Sequence, residues 1–150
     1  MNRWTHSLAP RLAVGTALAL ALVIGYSVAQ QSPLSISDYG VGTDVVDREL
    51  KGKGDRFEEG TKVAFLTRVV GGSDGDRIRH VWLYEKEEIV SIGLTLGGSH
   101  WRTFSRKTLP PGTTGAWAVE ARDAEDRVLA RVEFTCVAAG SGNSETPQSP

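Results

Sequence analysis

Turn signals break this sequence roughly every 8 to 12 residues, a spacing that points to an all-β sandwich or barrel. The breaks are Gly71-Gly72-Ser73-Asp74-Gly75-Asp76, Gly97-Gly98-Ser99, Pro110-Pro111-Gly112, Gly115 and Asp123-Ala124-Glu125-Asp126. Short runs lie between them: one within Asp44 to Lys51, then Lys62–Val69, Ile78–Glu85, Glu88–Ile92, His100–Thr108, Ala116–Arg122 and Val128–Cys136. Several alternate strictly. Val63, Phe65, Thr67 and Val69 fall on one side of a strand, as do Val128, Ala130, Val132, Phe134 and Cys136, because strand side chains point to opposite faces in turn. No helical apolar stripe competes with this pattern after residue 29. The expected fold is a small antiparallel β-sandwich, immunoglobulin-like, of about seven strands. Its core should contain Val63, Phe65, Trp82, Trp117, Val119, Val132 and Phe134.

The ends of the chain read differently. Met1 to Arg11 carries Arg3 and Arg11 and no acid, Leu12 to Val28 is mostly apolar, and Ser27-Val28-Ala29 offers small residues for a cut before Gln30. A basic start, an apolar stretch and a small-residue cut site make an export signal. The apolar stretch falls slightly short of the about 20 residues that a membrane-spanning helix needs. The expected organisation is a signal peptide over 1–29, a flexible leader over 30–43, the sandwich over 44–137 and a disordered tail over 138–150. The domain is then periplasmic or secreted, and tethered to the membrane only if the first segment stays uncleaved.

Charge narrows the function. The 150 residues hold 17 basic and 18 acidic side chains, and loss of Arg3 and Arg11 leaves the mature chain more acidic still. No nucleic-acid partner is expected, since that would require a basic face to neutralise phosphates. Cys136 is the single cysteine, so no internal disulfide can form and stability rests on burial. Its simplest role is a small apolar residue in the last strand.

One ordered series stands out: Gly60-Thr61-Lys62-Val63, His80-Val81-Trp82, Trp101-Arg102-Thr103-Phe104-Ser105-Arg106-Lys107 and Gly115-Ala116-Trp117-Ala118-Val119-Glu120. It resembles the bacterial domain of unknown function 2914 family, from about Val45 to Thr135. The resemblance implies an all-β domain in an envelope-associated protein, and brings no activity, cofactor or catalytic residue with it. The residue between the His and the Trp is often polar in that family, whereas here it is Val81.

Two segments are candidates for a site. In Ile78–Glu85, Ile78, His80, Trp82 and Tyr84 share one face. Either Trp82 anchors the core with His80 hydrogen-bonded at its margin, or His80, Trp82 and Tyr84 form an exposed aromatic stripe for stacking. In His100–Lys107, Trp101, Ser105 and Lys107 share one parity, while Arg102 and Arg106 share the other. An aromatic ring beside guanidinium groups can hold a carboxylate or phosphate while stacking on a ring. The alternative is a charged edge strand that guards against aggregation. His80, Trp101, Arg102, Ser105, Arg106 and Lys107 are the residues expected to touch a ligand or partner.

Catalysis and metals find little support. No Gly-x-Ser-x-Gly or phosphate-loop motif occurs. His80, His100 and Cys136 lack zinc-site spacing. Asp123, Glu125 and Asp126 fall short of a calcium loop and fit an acidic hairpin better. The sequence therefore points to a non-catalytic exported binding or accessory module without a cofactor. Its partner would be an anionic envelope polysaccharide or an acidic envelope protein. The alternative is a structural interaction domain that docks through an edge strand.

Overall fold

The structure, a computed structural model, describes residues 34–141; the expected signal, residues 30–33 of the leader and residues 142–150 of the tail lie outside them. The described residues form ten strands: β1 Ser35–Gly42, β2 Asp44–Val46, β3 Glu49–Lys51, β4 Arg56–Glu58, β5 Lys62–Val70, β6 Asp74–Tyr84, β7 Glu87–Gly97, β8 His100–Thr108, β9 Gly115–Arg122 and β10 Val128–Val137. Seven are eight residues or longer and three have only three residues. A sheet in the order β1-β5-β8 faces a sheet in the order β4-β10-β9-β6-β7, and β2-β3 forms a separate ribbon. Every pairing is antiparallel except the short β4–β10 contact. This is the expected all-β, immunoglobulin-like sandwich.

Alternation decides what goes inside. Val63, Phe65, Trp82, Trp117, Val119 and Phe134 are buried in one cluster, with Val132 half-buried against it. Phe134 sits at the aromatic centre, edge-on to Trp82 at 6.4 Å and stacked with Trp117 at 6.2 Å. Buried Trp N–H groups need acceptors; that of Trp117 donates to the Thr113 carbonyl at 2.8 Å. Cys136 packs in the same cluster, and burial pushes its thiol pKa up. It behaves as a small apolar residue.

Three expectations need correction. Ser35–Gly42, read as part of a loose leader over 30–43, is strand β1, paired along β5 from Ser35↔Val70 to Gly42↔Ala64. It escaped notice because little besides Ile36 and Val41 packs inward, leaving almost no alternation to read. The single strand expected within Asp44 to Lys51 is a hairpin, turned by Asp47 and Arg48 at φ of 51° and 62°. The run expected over Glu88–Ile92 extends to Gly97. There the close approach of Trp101 needs a glycine: a Cβ on Gly97 would lie 2.6 Å from the indole ring.

Candidate functional site

Strand β8 carries most of the candidate residues, and its alternation sends them to opposite sides. It is the outer strand of the three-stranded sheet, paired with β5 in the register Phe65↔Ser105 and Arg68↔Arg102. Trp101, Thr103, Ser105 and Lys107 follow the inward parity of Phe65. His100, Arg102, Phe104 and Arg106 follow the outward parity.

On the inward side the sequence motif becomes a clasp between sheets. His80 is fully buried and Ser105 is 5% exposed. His80 Nδ1 lies 2.9 Å from Ser105 Oγ, and Nε2 lies 3.1 Å from Thr67 Oγ1. Trp82 Nε1 donates to Ser105 Oγ at 3.1 Å, and Thr67 Oγ1 donates to the Thr103 carbonyl at 3.4 Å. These anchors fix the direction of the chain of bonds. Thr67 spends its hydroxyl hydrogen on the Thr103 carbonyl, so it accepts from His80 Nε2–H. In the neutral ring Nδ1 then accepts from the Ser105 hydroxyl, whose oxygen also accepts the Trp82 N–H. Every donor is used with the imidazole neutral, and burial lowers the His80 pKa to about 3. The network joins β6 of one sheet to β5 and β8 of the other.

His80 and Ser105, expected to touch a ligand, therefore cannot do so, because the two sheets close over them. The exposed aromatic stripe is likewise overturned. Ile78, His80 and Trp82 are fully buried, and Tyr84 is half-buried, its hydroxyl donating to the Thr114 carbonyl at 3.1 Å. The other face of β6 is covered too. Val81 and Leu83 cluster with Ala118. Beside Val81 in register stands Glu120, which forms ion pairs with Arg122 and Arg131. The Val at the motif's middle position thus has an apolar seat on the outer face of the sheet.

On the outward side of β8, two arginines hold the β2–β3 ribbon. Arg102 pairs with Glu49 at 3.0 Å and Arg106 with Asp44 at 2.9 Å. Arg106 also lies over the Phe104 ring, 4.6 Å from its centroid. Its hydrogen bond to Asp44, with a second from the Val45 N–H, holds that carboxyl below the usual range. Between these groups Leu50 of β3 packs on Ala64 and Leu66 of β5, flanked by Val45. Asp44 and Glu49 carried no sign of this role in the sequence.

The remaining outward groups converge beside Trp101, which keeps the inward parity with its indole against Gly97 and the cluster of Val69, Ile78 and Leu96. Arg68, His100, Trp101 and Arg102 line a recess of about 220 Å³. Arg68 and Arg102 stand directly across from each other on adjacent strands. Like charges in that position repel, and Arg102 relieves part of this through Glu49. Arg68 has no ion pair among the described residues, and its Nε is buried without a hydrogen-bond acceptor. Of the six candidate residues, only Trp101 and Arg102 line the recess. Arg106 and Lys107 lie roughly 13 Å or more further along, at about 3.3 Å per residue, and Lys107 is on the inward parity. Arg68 and His100 complete the recess.

The acidic hairpin is closed on itself. One Asp123 carboxylate oxygen accepts the Glu125 and Arg127 backbone N–H groups at 3.0 and 2.9 Å, while the other accepts Arg127 Nε at 2.6 Å. Burial alone would raise the Asp123 pKa, but these bonds outweigh it and lower it. Among the described residues no three His, Cys, Asp or Glu side chains form a group that could hold a metal ion.

The solved structures similar to this chain include two at 11% sequence identity. One is the CARDB domain of a Pyrococcus furiosus protein in complex with di-metal ions, covering 73% of this chain and 90% of its own with a TM-score of 0.43. The other is a Niemann-Pick type C2 protein from Japanese carpenter ant, covering 71% and 94% with a TM-score of 0.40. No curated protein matches the sequence. A family model does match, over residues 75–136. That span includes His80-Val81-Trp82 and the whole Trp101–Lys107 segment, and is shorter at its start than the stretch from Val45 that the residue series suggested. The matching family is the protein of unknown function family DUF2914, the one this sequence resembles.

Proposed function

We propose that this domain is an exported, non-catalytic binding module of the cell envelope, and that its recess of Arg68, His100, Trp101 and Arg102 holds an acidic group of an anionic envelope polysaccharide. The observation that carries the reading is the pair Arg68–Arg102. The two arginines are cross-strand partners lining one recess, and Arg68 has a buried donor with no acceptor among the described residues. A carboxylate or phosphate would relieve the repulsion and accept charge-assisted hydrogen bonds. Trp101 also lines the recess, but its indole packs inward on Gly97 and the cluster of Val69, Ile78 and Leu96. The recess therefore engages the acidic group of the polymer through its cations.

The non-catalytic part rests on the interior. Two His–Ser pairs lie at hydrogen-bond distance among the described residues. His80 and Ser105 are sealed between the sheets with the imidazole neutral, so a nucleophile and base there have no access to substrate. Ser99 and His100 are exposed, 3.3 Å apart, with no carboxylate hydrogen-bonded to the imidazole among the described residues. Export rests on Arg3, Arg11, the apolar stretch after them and Ser27-Val28-Ala29.

The test begins with the exported chain, whose N-terminus should read at or near Gln30. Its binding to polygalacturonate, as a carboxylated polymer, and to a neutral glucan is then measured by affinity electrophoresis across a salt series. The acidic polymer should retard the protein, less so as salt rises, and the glucan should not. Arg68→Ala and Arg102→Ala should each weaken retardation about tenfold, the 1.4 kcal/mol expected of one lost charge-assisted contact. Full retardation of both variants overturns the reading.

A further inference from the structure

The four sheet edges are not equally defended. Strand edges invite pairing with other chains, and natural sheets blunt them with charge, shortness or bulges. In this domain β4 has three residues, β1 carries Asp38 and a register shift between Ile36 and Asp38, and β8 carries Arg102, Arg106 and Lys107. The part of β10 beyond β4 carries Arg131 and Glu133. Strand β7 differs in length and charge, although its ladder with β6 also shifts register, between Asp74 and Arg77 and between Trp82 and Leu83. It runs for eleven residues at the edge of the five-stranded sheet, and from Ile89 to Gly97 it holds no charge and no proline. Its inward row of Val90, Ile92 and Leu94 is only half-buried. One side of its backbone is unpaired among the described residues.

We propose that β7 pairs antiparallel with β7 of a second copy of this chain, joining two five-stranded sheets into one. The occupant follows from the strand's own pattern. A two-fold axis at Ile92 sets Ile92 beside its counterpart and Val90 beside Leu94, so the half-buried row of each copy covers that of the other. No like charges meet. The acids Glu87 and Glu88 at one end fall across from the neutral far end of the other strand. Just behind that end, on β6, lie the exposed Asp74, paired in register with Gly97, and the exposed Arg77, paired with Thr95. Glu88 already pairs with Arg122 of its own chain, so the contact rests on the neutral apolar row of β7 rather than on a new ion pair. Parallel pairing in register would instead stack Glu87 and Glu88 on their counterparts. Closed two-fold contacts of this kind are self-limiting. The proposal does not depend on the anion recess, which lies on the other sheet.

In the same register Ser91 faces Gly93 of the other copy. Both positions are exposed, and a Cβ on Gly93 meets nothing within 4 Å. Sedimentation equilibrium of the full exported chain at high micromolar concentration should give the mass of a dimer. The double variant Ser91→Lys/Gly93→Lys sets Lys directly against Lys twice across the pair. It should sediment as a monomer while melting within a few degrees of the original. The double variant Ser91→Glu/Gly93→Lys sets opposite charges together and should remain a dimer. A monomeric starting protein overturns the proposal, as does a Lys/Lys variant that stays dimeric or a Glu/Lys variant that falls apart.

Discussion

The two faces of β8 are made of neighbouring residues and do opposite things. Inward, Ser105 is one link in a dry network that ties the sheets together, and its value lies in leaving no polar group unpaired. Outward, Arg102 and Arg106 make ion pairs whose acidic partners are more than half exposed, 59% for Glu49 and 56% for Asp44. Low dielectric makes the first set costly to disturb. Solvent makes the second set cheap to disturb and free to exchange partners. Within one strand, position parity thus separates residues that hold the fold from residues available to a ligand.

The comparison breaks most visibly if the inward face is cut. Trp82→Ala removes one of the two largest fully buried side chains and leaves the Ser105 oxygen without the Trp82 N–H. It should cost about 3–5 kcal/mol in urea unfolding, as for other large aromatic truncations. Ser105→Ala deletes only one oxygen but orphans the Trp82 N–H and His80 Nδ1. It should cost about 1–3 kcal/mol. A loss below about 0.5 kcal/mol for Ser105→Ala, within the range of ordinary surface changes, would mean that the network is not a clasp.

The same network predicts a dependence on acid. His80 is held at a pKa of about 3 by burial, far below its ordinary 6.5. Below pH 6.5 the unfolded chain takes up a proton that the folded chain refuses, so protons favour unfolding. The contribution is fully present above about pH 6.5 and is lost as pH falls toward about 3, at roughly 1.4 kcal/mol per pH unit. His80→Gln removes the titrating group. Its stability between pH 7 and pH 4 should fall less steeply than that of the original chain, whatever its level at pH 7. Parallel slopes would place the acid sensitivity elsewhere.

The parity that organises β8 was legible in the sequence, and so were the core and the sandwich. Alternation in Lys62–Val69 and in Ala130–Cys136 assigns inward residues correctly, because a period of two survives any choice of partner strand; Val128, expected on the same side, is 52% exposed beyond a register shift between Val128 and Ala130. The partners themselves were not legible. His80 and Ser105 are far apart in the chain, and each looked like a ligand-contacting polar residue until register placed them together. Arg68 falls on the outward parity of Lys62–Val69, and only the Arg68↔Arg102 pairing makes it part of a recess. Turns at Asp47-Arg48 and Glu85-Lys86 were hidden for a local reason. All four residues have positive φ, a conformation usually announced by Asn or Gly.

The smallest effect sharpens the comparison from the outward side. Arg106→Ala removes the ion pair to Asp44 and the cation lying over Phe104, and so loosens one attachment of the β2–β3 ribbon. The ribbon remains seated through Leu50 on Ala64 and Leu66, and through the Arg102–Glu49 pair. Exposed ion pairs contribute about 0–1 kcal/mol, so the variant should unfold within about 1 kcal/mol of the original. Its loss should shrink further as salt is added, since screening weakens the pair in the reference protein as well. Hydrogen exchange should locate the change, with faster exchange confined to residues 43–52 and unchanged protection in β6. A loss of 2 kcal/mol or more, far above the range for exposed pairs, would instead make the ribbon part of the cooperative fold. Such a result would remove the distinction between the two faces of the strand.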